Sequence, residues 1–389
     1  MTDRFTEIHR AALFLDGHAD TPQRFVDDNW DFAAPLAGGH LSLDTARAGN
    51  LRGIFFALWA EPVQWRNRYA HRTLALLDGV LEQVRRHPET LQLCTSPGDI
   101  RAAQAADKFA VLLGIEGGHS IENSLALLRL YFRLGVRYMT LTWSNSNQWA
   151  DSSGDLHDPT IPHHDGLTPF GRDVLREMNR LGMMIDVSHA SDKTFLDTIE
   201  VTQAPVIASH SSARAITAAT RNLSDEQLRA LAKNRGIVMA NFFPAFIDEA
   251  WRTAWNVQRP ERHRAHQALT SDFAERGLPV PFSASNRIDR DFAARIPRAP
   301  FSSLIQHIDH LVRVAGIEHV GIGSDFDGIP STPEGLDSAA DLPKITYALH
   351  ARGYSAEALH KILGENLLRV FSEVQATAET GISNRQAAR

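Results

Sequence analysis

The chain has 389 residues, 43% hydrophobic and 22% charged, with a formal net charge of −6. That composition belongs to a globular protein with a large core, and it carries no basic footprint for nucleic acid or an anionic membrane surface. A single cysteine, Cys94, excludes an internal disulfide and a thiolate metal cluster, whereas 18 histidines supply imidazole, the commonest metal ligand.

Eight short β-rich apolar runs recur along the chain. They are LFLDGHAD (13–20), RGIFFALWA (52–60), FAVLLGIE (109–116), RYMTLTW (137–143), GMMIDVSH (182–189), PVIASH (205–210), GIVMANFF (236–243) and HVGIGSD (319–325). Helical periodicity fills the gaps at 69–87, 124–135, 168–182, Ser191 to Ile199, 224–236, 301–316 and 355–374. Ser224 followed by Gln227 predicts a capping box at the start of one of these helices. Near-continuously apolar strands alternating with helices predict one (β/α)8 TIM barrel over 1–389, with a doubly wound open sheet as the alternative. Residues 21–50 read as a loop or hairpin. Residues 244–300, between strands seven and eight, are too long for a plain connection and read as an insertion, a lid or subunit contact at the barrel mouth. The polar start MTDRFTEIHR, the end ISNRQAAR and the lack of a membrane-length apolar run predict a soluble cytoplasmic protein without a membrane anchor.

The strand ends share a chemistry. Strand one ends on His18 and Asp20, strand three on Glu116, strand five on His189, strand six on His210, and strand eight on Asp325 with Asp327 two residues on. In an extended chain His18 and Asp20 fall on one face, roughly 6–7 Å apart at Cα. A barrel brings its C-terminal strand ends to one mouth, so these imidazoles and carboxylates converge there. Three histidines and several carboxylates without thiolate suit zinc or a similar divalent ion. They are too many for one tetrahedral ion with an open position. The set predicts two ions, one on His18, Asp20 and Glu116 and the other on Glu116, His189 and His210, bridged by Glu116. Such a pair lowers the pKa of a shared water and generates hydroxide near neutral pH. Asp325, committed to neither ion, would orient that water and carry its proton to a leaving amine. His119 reads as a supporting or helix-start residue, His163 and His164 as loop residues, Asp327 as a brace for its loop, and Cys94 as an inert thiol.

The segments DGHADTP, GIEGGHS, IDVSHAS, ASHSSARA, TRNLSDEQL, GIGSDFDGIPSTPEGL and GENLLRVFSEV resemble, in order, the motifs of the membrane (renal) dipeptidase family, peptidase family M19 of the amidohydrolase superfamily. The resemblance runs from Leu15 to about Val374. It implies a (β/α)8 barrel with two zinc ions that cleaves dipeptides, including those with a D-residue at the C-terminal position, and a homodimer. It assigns His18, Asp20, Glu116, His189 and His210 as ligands, Asp325 as the catalytic aspartate, and Arg221 as the group that binds the substrate carboxylate. A guanidinium is suited to that task because it pairs bidentately with a carboxylate. One position departs from the pattern: family members resembling the renal enzyme read LTHS where this chain reads LTWS, so Trp143 replaces a histidine that contacts the substrate carbonyl. Indole donates one hydrogen bond but cannot become a cation, so oxyanion stabilisation would shift to the metals, with Asn145 or Asn147 as further donors. That departure keeps open two alternatives: hydrolysis of other amides, such as N-acyl amino acids or a β-lactam ring, and a metal-bearing accessory protein without hydrolytic activity.

Overall fold

The computed structural model describes residues 4–387, so the outermost residues of MTDRFTEIHR and ISNRQAAR lie outside the described residues. Nine strands are present: β1 (Phe14–Ala19), β2 (Leu51–Trp59), β3 (Leu91–Leu93), β4 (Phe109–Glu116), β5 (Val136–Thr140), β6 (Met184–Asp186), β7 (Ile207–Ala208), β8 (Ile237–Ala240) and β9 (Val320–Ile322). Eight of them pair in parallel in the order β1-β2-β4-β5-β6-β7-β8-β9, and β3 adds to the outside of β4. The ring closes between the last strand and the first: Ala19 bridges Phe326, Asp20 N donates to Phe326 O (2.9 Å) and Asp325 N donates to His18 O (3.1 Å). This is the expected (β/α)8 barrel.

Alternation along the central strands explains how it packs. On β2 and β4, Ile54, Phe56, Leu58, Val111, Leu113 and Ile115 pack in the cluster shared with the surrounding helices, while Phe55, Ala110 and Leu112 belong to a second cluster. That second cluster holds Tyr138, Met184, Ile207, Ile237 and Met239 from the other strands, together with Leu367, Leu368, Phe371 and Val374 of the C-terminal helix. Glu116 continues the Ala110 and Leu112 alternation, which carries it to the inner face. The expected capping box forms, with Gln227 N donating to Ser224 Oγ (3.2 Å) and Ser224 N to Gln227 Oε1 (2.8 Å).

Three features differ from the sequence reading. Residues 21–50 contain two short helices, Pro22–Asp27 and Leu43–Ala48, the second opened by a Ser42 and Thr45 capping box, rather than a loop or hairpin. β3 was not expected, since a three-residue strand leaves no periodic signal. The later strands are shorter than their apolar runs because buried carboxylates replace the ladder at their ends. Asp186 accepts from Ser188 N (3.0 Å) and Ser209 N (2.9 Å), and Asp16 accepts from His18 N (3.1 Å) and Ser324 N (2.9 Å). Residues 244–300 fold into four helices, Pro244–Ile247, Glu249–Val257, Arg259–Glu275 and Phe282–Ala293. A small apolar cluster of its own, built on Trp251, Trp255, Phe292 and Ile296, holds the segment together. Among the described residues no helix is long and apolar enough to cross a membrane.

Candidate metal centre

His18, Asp20, Glu116, His189, His210 and Asp325 are all buried and meet at the C-terminal end of the barrel. Glu116 is the hub. Its Oε1 lies 2.9 Å from His189 Nε2 and 3.4 Å from His210 Nε2, while its Oε2 lies 3.7 Å from His18 Nε2. His18 Nε2 is also 3.6 Å from Asp20 Oδ2, and the Nε2 atoms of His189 and His210 are 3.0 Å apart. Ligand atoms of His18, Glu116 and His210 lie within 4.8 Å of one another, as do those of His18, Asp20 and Asp325. Asp325, expected to stand apart from the ligands, is therefore part of the cluster.

The opposite ring edges have their own partners. His18 Nδ1 lies 2.8 Å from Tyr138 Oη, His210 Nδ1 lies 2.7 Å from Ser209 Oγ, and His189 Nδ1 lies 3.5 Å from Ser144 Oγ. Ser209 Oγ in turn donates to Asp186 Oδ2 (2.6 Å), which also accepts from Thr140 Oγ1 (2.5 Å). With Nδ1 occupied, each imidazole presents Nε2 to the centre, the arrangement in which outer partners orient metal-binding histidines. Tyr138 needs space to reach His18: a Cβ at position 114 would lie 2.1 Å from Tyr138 Cζ, so only glycine fits at Gly114. His189 and Asp325 adopt left-handed backbone conformations (φ 67° and 63°), so the chain turns sharply where each ligand projects.

The residues fit a metal. His18 Nε2 is buried without a hydrogen-bond partner, and three buried carboxylates crowd round it, a costly arrangement without a cation. Burial pushes the Asp325 carboxyl up to about 8, opposed by His18 and reinforced by Asp20 and Glu116. Burial likewise raises Asp20 to about 6, and Glu116 adds to the rise. Burial also opposes ionisation of Glu116, but the three imidazoles outweigh it and hold that carboxylate well below the ordinary range. The chemistry of the set, nitrogen and oxygen donors without sulfur, is that of a hydrolytic divalent-metal site.

A cleft of about 180 Å³ adjoins the cluster, lined by Asp20, Glu116, His189, Arg221 and Asp325 and by the aromatic rings of Trp59, Trp143, Phe243, Phe246 and Phe282. Arg221 is buried, donates from Nη2 to His210 O (3.1 Å) and from Nη1 to Ser211 Oγ (3.4 Å), and leaves Nε unpaired. Burial lowers its pKa to about 10, and among the described residues it forms no ion pair. Asn145 lies outside the lining and donates to Ser146 O (3.3 Å), while Asn147 Nδ2 is committed to Leu141 O (2.9 Å). His163 and His164 are held against Asp151 instead of lining the cleft, and His119 contacts Ala60 O (2.9 Å). Asp327 braces its loop, accepting from Thr21 Oγ1 (2.7 Å) and His40 N (2.6 Å). Sequence reading did not single out Tyr138, Asp186 or Asn241, which donates to Asp325 Oδ2 (3.0 Å). It also missed the aromatic lining. None of these stands in a metal-ligand spacing, and only their place on inner strand positions could have marked them.

A parallel barrel whose strand ends gather three imidazoles and three carboxylates beside an open cleft has the form of a metal-dependent hydrolase. The model of the membrane dipeptidase family, peptidase family M19, matches residues 2–385, and the chain belongs to that family. It is 32% identical over 378 residues to dipeptidase tcpJ of Claviceps purpurea (strain 20.1), covering 93% of this chain and 77% of the relative. Its structure is similar to that of the probable dipeptidase PvdM from Pseudomonas aeruginosa, with 26% identity, a TM-score of 0.79, and coverage of 96% of this chain and 98% of that one. It is also similar to a metallopeptidase from Rhodobacter sphaeroides liganded with a phosphinate mimic of the dipeptide L-Ala-D-Ala, with 25% identity, a TM-score of 0.74, and coverage of 93% and 99%. The chain is a metallo-dipeptidase, as its motifs implied.

Proposed function

We propose that the chain hydrolyses dipeptides, those ending in a D-residue among them, with two zinc ions sharing Glu116. The division of the Glu116 carboxylate, Oε1 toward His189 and His210 and Oε2 toward His18, carries this reading. His18 and Asp20 complete one ligand set, and His189 and His210 the other. When bound, such an ion pair makes a water acidic enough to attack at neutral pH and polarises a scissile carbonyl.

The chain's own side chains do the rest. Arg221, buried and without a carboxylate partner, holds the C-terminal carboxylate of the substrate. Asp325, whose Oδ2 is fixed by Asn241, takes the proton of the attacking water and delivers it to the leaving amine. Trp143 borders the cleft beside His189, with ring centroids 6.2 Å apart, and closes it against bulk water. The Rhodobacter neighbour, liganded with an L-Ala-D-Ala mimic, supports a D-residue at the C-terminal position.

The test is a screen of zinc-loaded protein against L-L and L-D dipeptides, with metal content measured on the same sample. Turnover with about two ions per chain is expected for a shared-carboxylate site. Two ions without turnover of any dipeptide would overturn the proposed substrate, and a single ion at full activity would overturn the shared site.

A further inference from the structure

The cleft contains two separate aromatic groups. Phe246 lies 5.3 Å from the Arg221 guanidinium carbon and 4.9 Å from the Phe243 ring, so that pair surrounds the cation. Trp59, Trp143 and Phe282 form the other group, with Trp59 centred 4.7 Å from Trp143 and 6.1 Å from Phe282. This wall borders the metal ligands instead of Arg221: Trp59 pairs in register with Glu116, and Trp143 neighbours His189. Its three rings come from the end of β2, the turn after β5 and the 244–300 insertion. The insertion's contribution is held firmly, because Val280 exchanges two hydrogen bonds with Gln64 (2.8 and 3.1 Å) and Phe282 N donates to Asp27 Oδ2 (2.9 Å). All three rings are partly exposed and line the cleft.

We propose that Trp59, Trp143 and Phe282 form the subsite for the side chain of the substrate's N-terminal residue, and that this subsite selects bulky apolar side chains. The assignment rests on the dipeptidase reading, which puts the substrate carboxylate on Arg221 and so leaves the N-terminal residue to the wall away from it. Indole and phenyl faces take an apolar side chain out of water, but strip water from a polar one without returning its hydrogen bonds. Trp143 is central, since a histidine there would offer a polar, protonatable edge. Phe282 gives the insertion a role in selectivity.

The experiment uses the zinc-loaded full chain and X-Ala dipeptides in which X is Gly, Ser, Asp, Lys, Leu or Phe. Wild type is compared with Trp59→Ala, Trp59→Phe and Phe282→Ala. In parallel, phosphinate analogues with Gly or Phe at the N-terminal position are titrated and tryptophan fluorescence is followed, which reads binding without turnover. Wild type is expected to favour Leu and Phe over Gly and Ser by about tenfold or more in kcat/KM, as hydrophobic pockets discriminate, and to bind the Phe analogue correspondingly more tightly. Both alanine variants narrow that ratio to about threefold or less, while Trp59→Phe, which keeps an aromatic face, retains it. Equal treatment of all six substrates and both analogues by wild type would overturn the subsite and leave the dipeptidase reading intact. A preference that survives in both alanine variants would likewise overturn it. Preferential binding of the Phe analogue without cleavage of any dipeptide would overturn the dipeptidase reading and keep the apolar selection.

Discussion

Replacing Gly328 by alanine tests whether Asp20 and Asp325 act as one unit. A Cβ at position 328 would lie 2.0 Å from Asp20 Oδ2, 2.9 Å from Asp20 Cγ and 2.6 Å from Asp325 Oδ1. Ordinary contact begins at about 3.4 Å, so the Asp20 carboxylate must retreat by about 1.4 Å or the Gly328 loop must lift by a similar distance. Neither is free to happen. Both carboxylates are buried, Asp325 Oδ2 is held by Asn241, and Gly328 N donates to Asp325 O (3.1 Å). Gly328 lies outside the positive-φ region, so alanine adds no backbone strain and the perturbation stays within the cluster. Misplacing a reacting group by about 1 Å costs on the order of 100-fold in rate. The expected result is a fall in kcat/KM of at least about 100-fold with reduced metal content and a nearly unchanged Tm. Gly98→Ala is the control, because its nearest neighbour is Ser96 Oγ at 3.6 Å and alanine suits the helix it occupies. Turnover, metal content and thermal unfolding are read on one sample. A Gly328→Ala protein with wild-type turnover and wild-type metal content would refute the reasoning.

Asp325→Asn is expected to retain metal while turnover falls by about 10² to 10⁴, the span of a lost proton-transfer group, and a wild-type kcat would end that assignment. Arg221→Ala should raise KM by about 10- to 100-fold for substrates with a free carboxylate, since hydrogen bonds to charged groups contribute about 1.5–3 kcal/mol. Amidated substrates should be untouched, and equal effects on both would remove Arg221 from carboxylate binding. His307 is a pH-sensitive point of the scaffold: Ala213 N donates to its Nδ1 (3.1 Å), and burial pushes the imidazole down to about 4. The unfolded chain takes up that proton near 6.5 and the folded chain only near 4, so stability is complete above pH 6.5 and is lost as the pH falls toward 4. Over that window the loss reaches roughly 3 kcal/mol. His40, lowered by burial to about 4, acts in the same direction. Urea unfolding at pH 7 and pH 5 should show wild type losing more stability than His307→Gln, and identical losses would contradict the linkage.

Much of this protein was legible before its fold was known. The alternation and apolar character of the strands were enough for the barrel, because eight buried parallel strands each carry their own pattern. The ligand set was legible for the same reason: each of His18, Glu116, His189 and His210 closes an apolar run, and the barrel's geometry makes every run end at the same mouth. The two helices within 21–50 and the strand Leu91–Leu93 were not legible, since six or three residues span too few turns or alternations to leave a period.

Tertiary structure alone decided what surrounds the ligands. Tyr138 reaches His18 across 120 residues of sequence, Asn241 reaches Asp325 across 84, and Asp186 reaches Ser209 across 23. Contacts of this kind depend on strand order and register, and no local spacing encodes them. The same holds for the split of Glu116 between two imidazole groups, for the inclusion of Asp325 in the cluster, and for the meeting of Trp59, Trp143 and Phe282 in one wall. The sequence by itself determined the barrel and the donors, because backbone periodicity and side-chain chemistry are local properties. The closed ring of strands decided which donors face one another and what shape of substrate they admit, because those are properties of distance between segments.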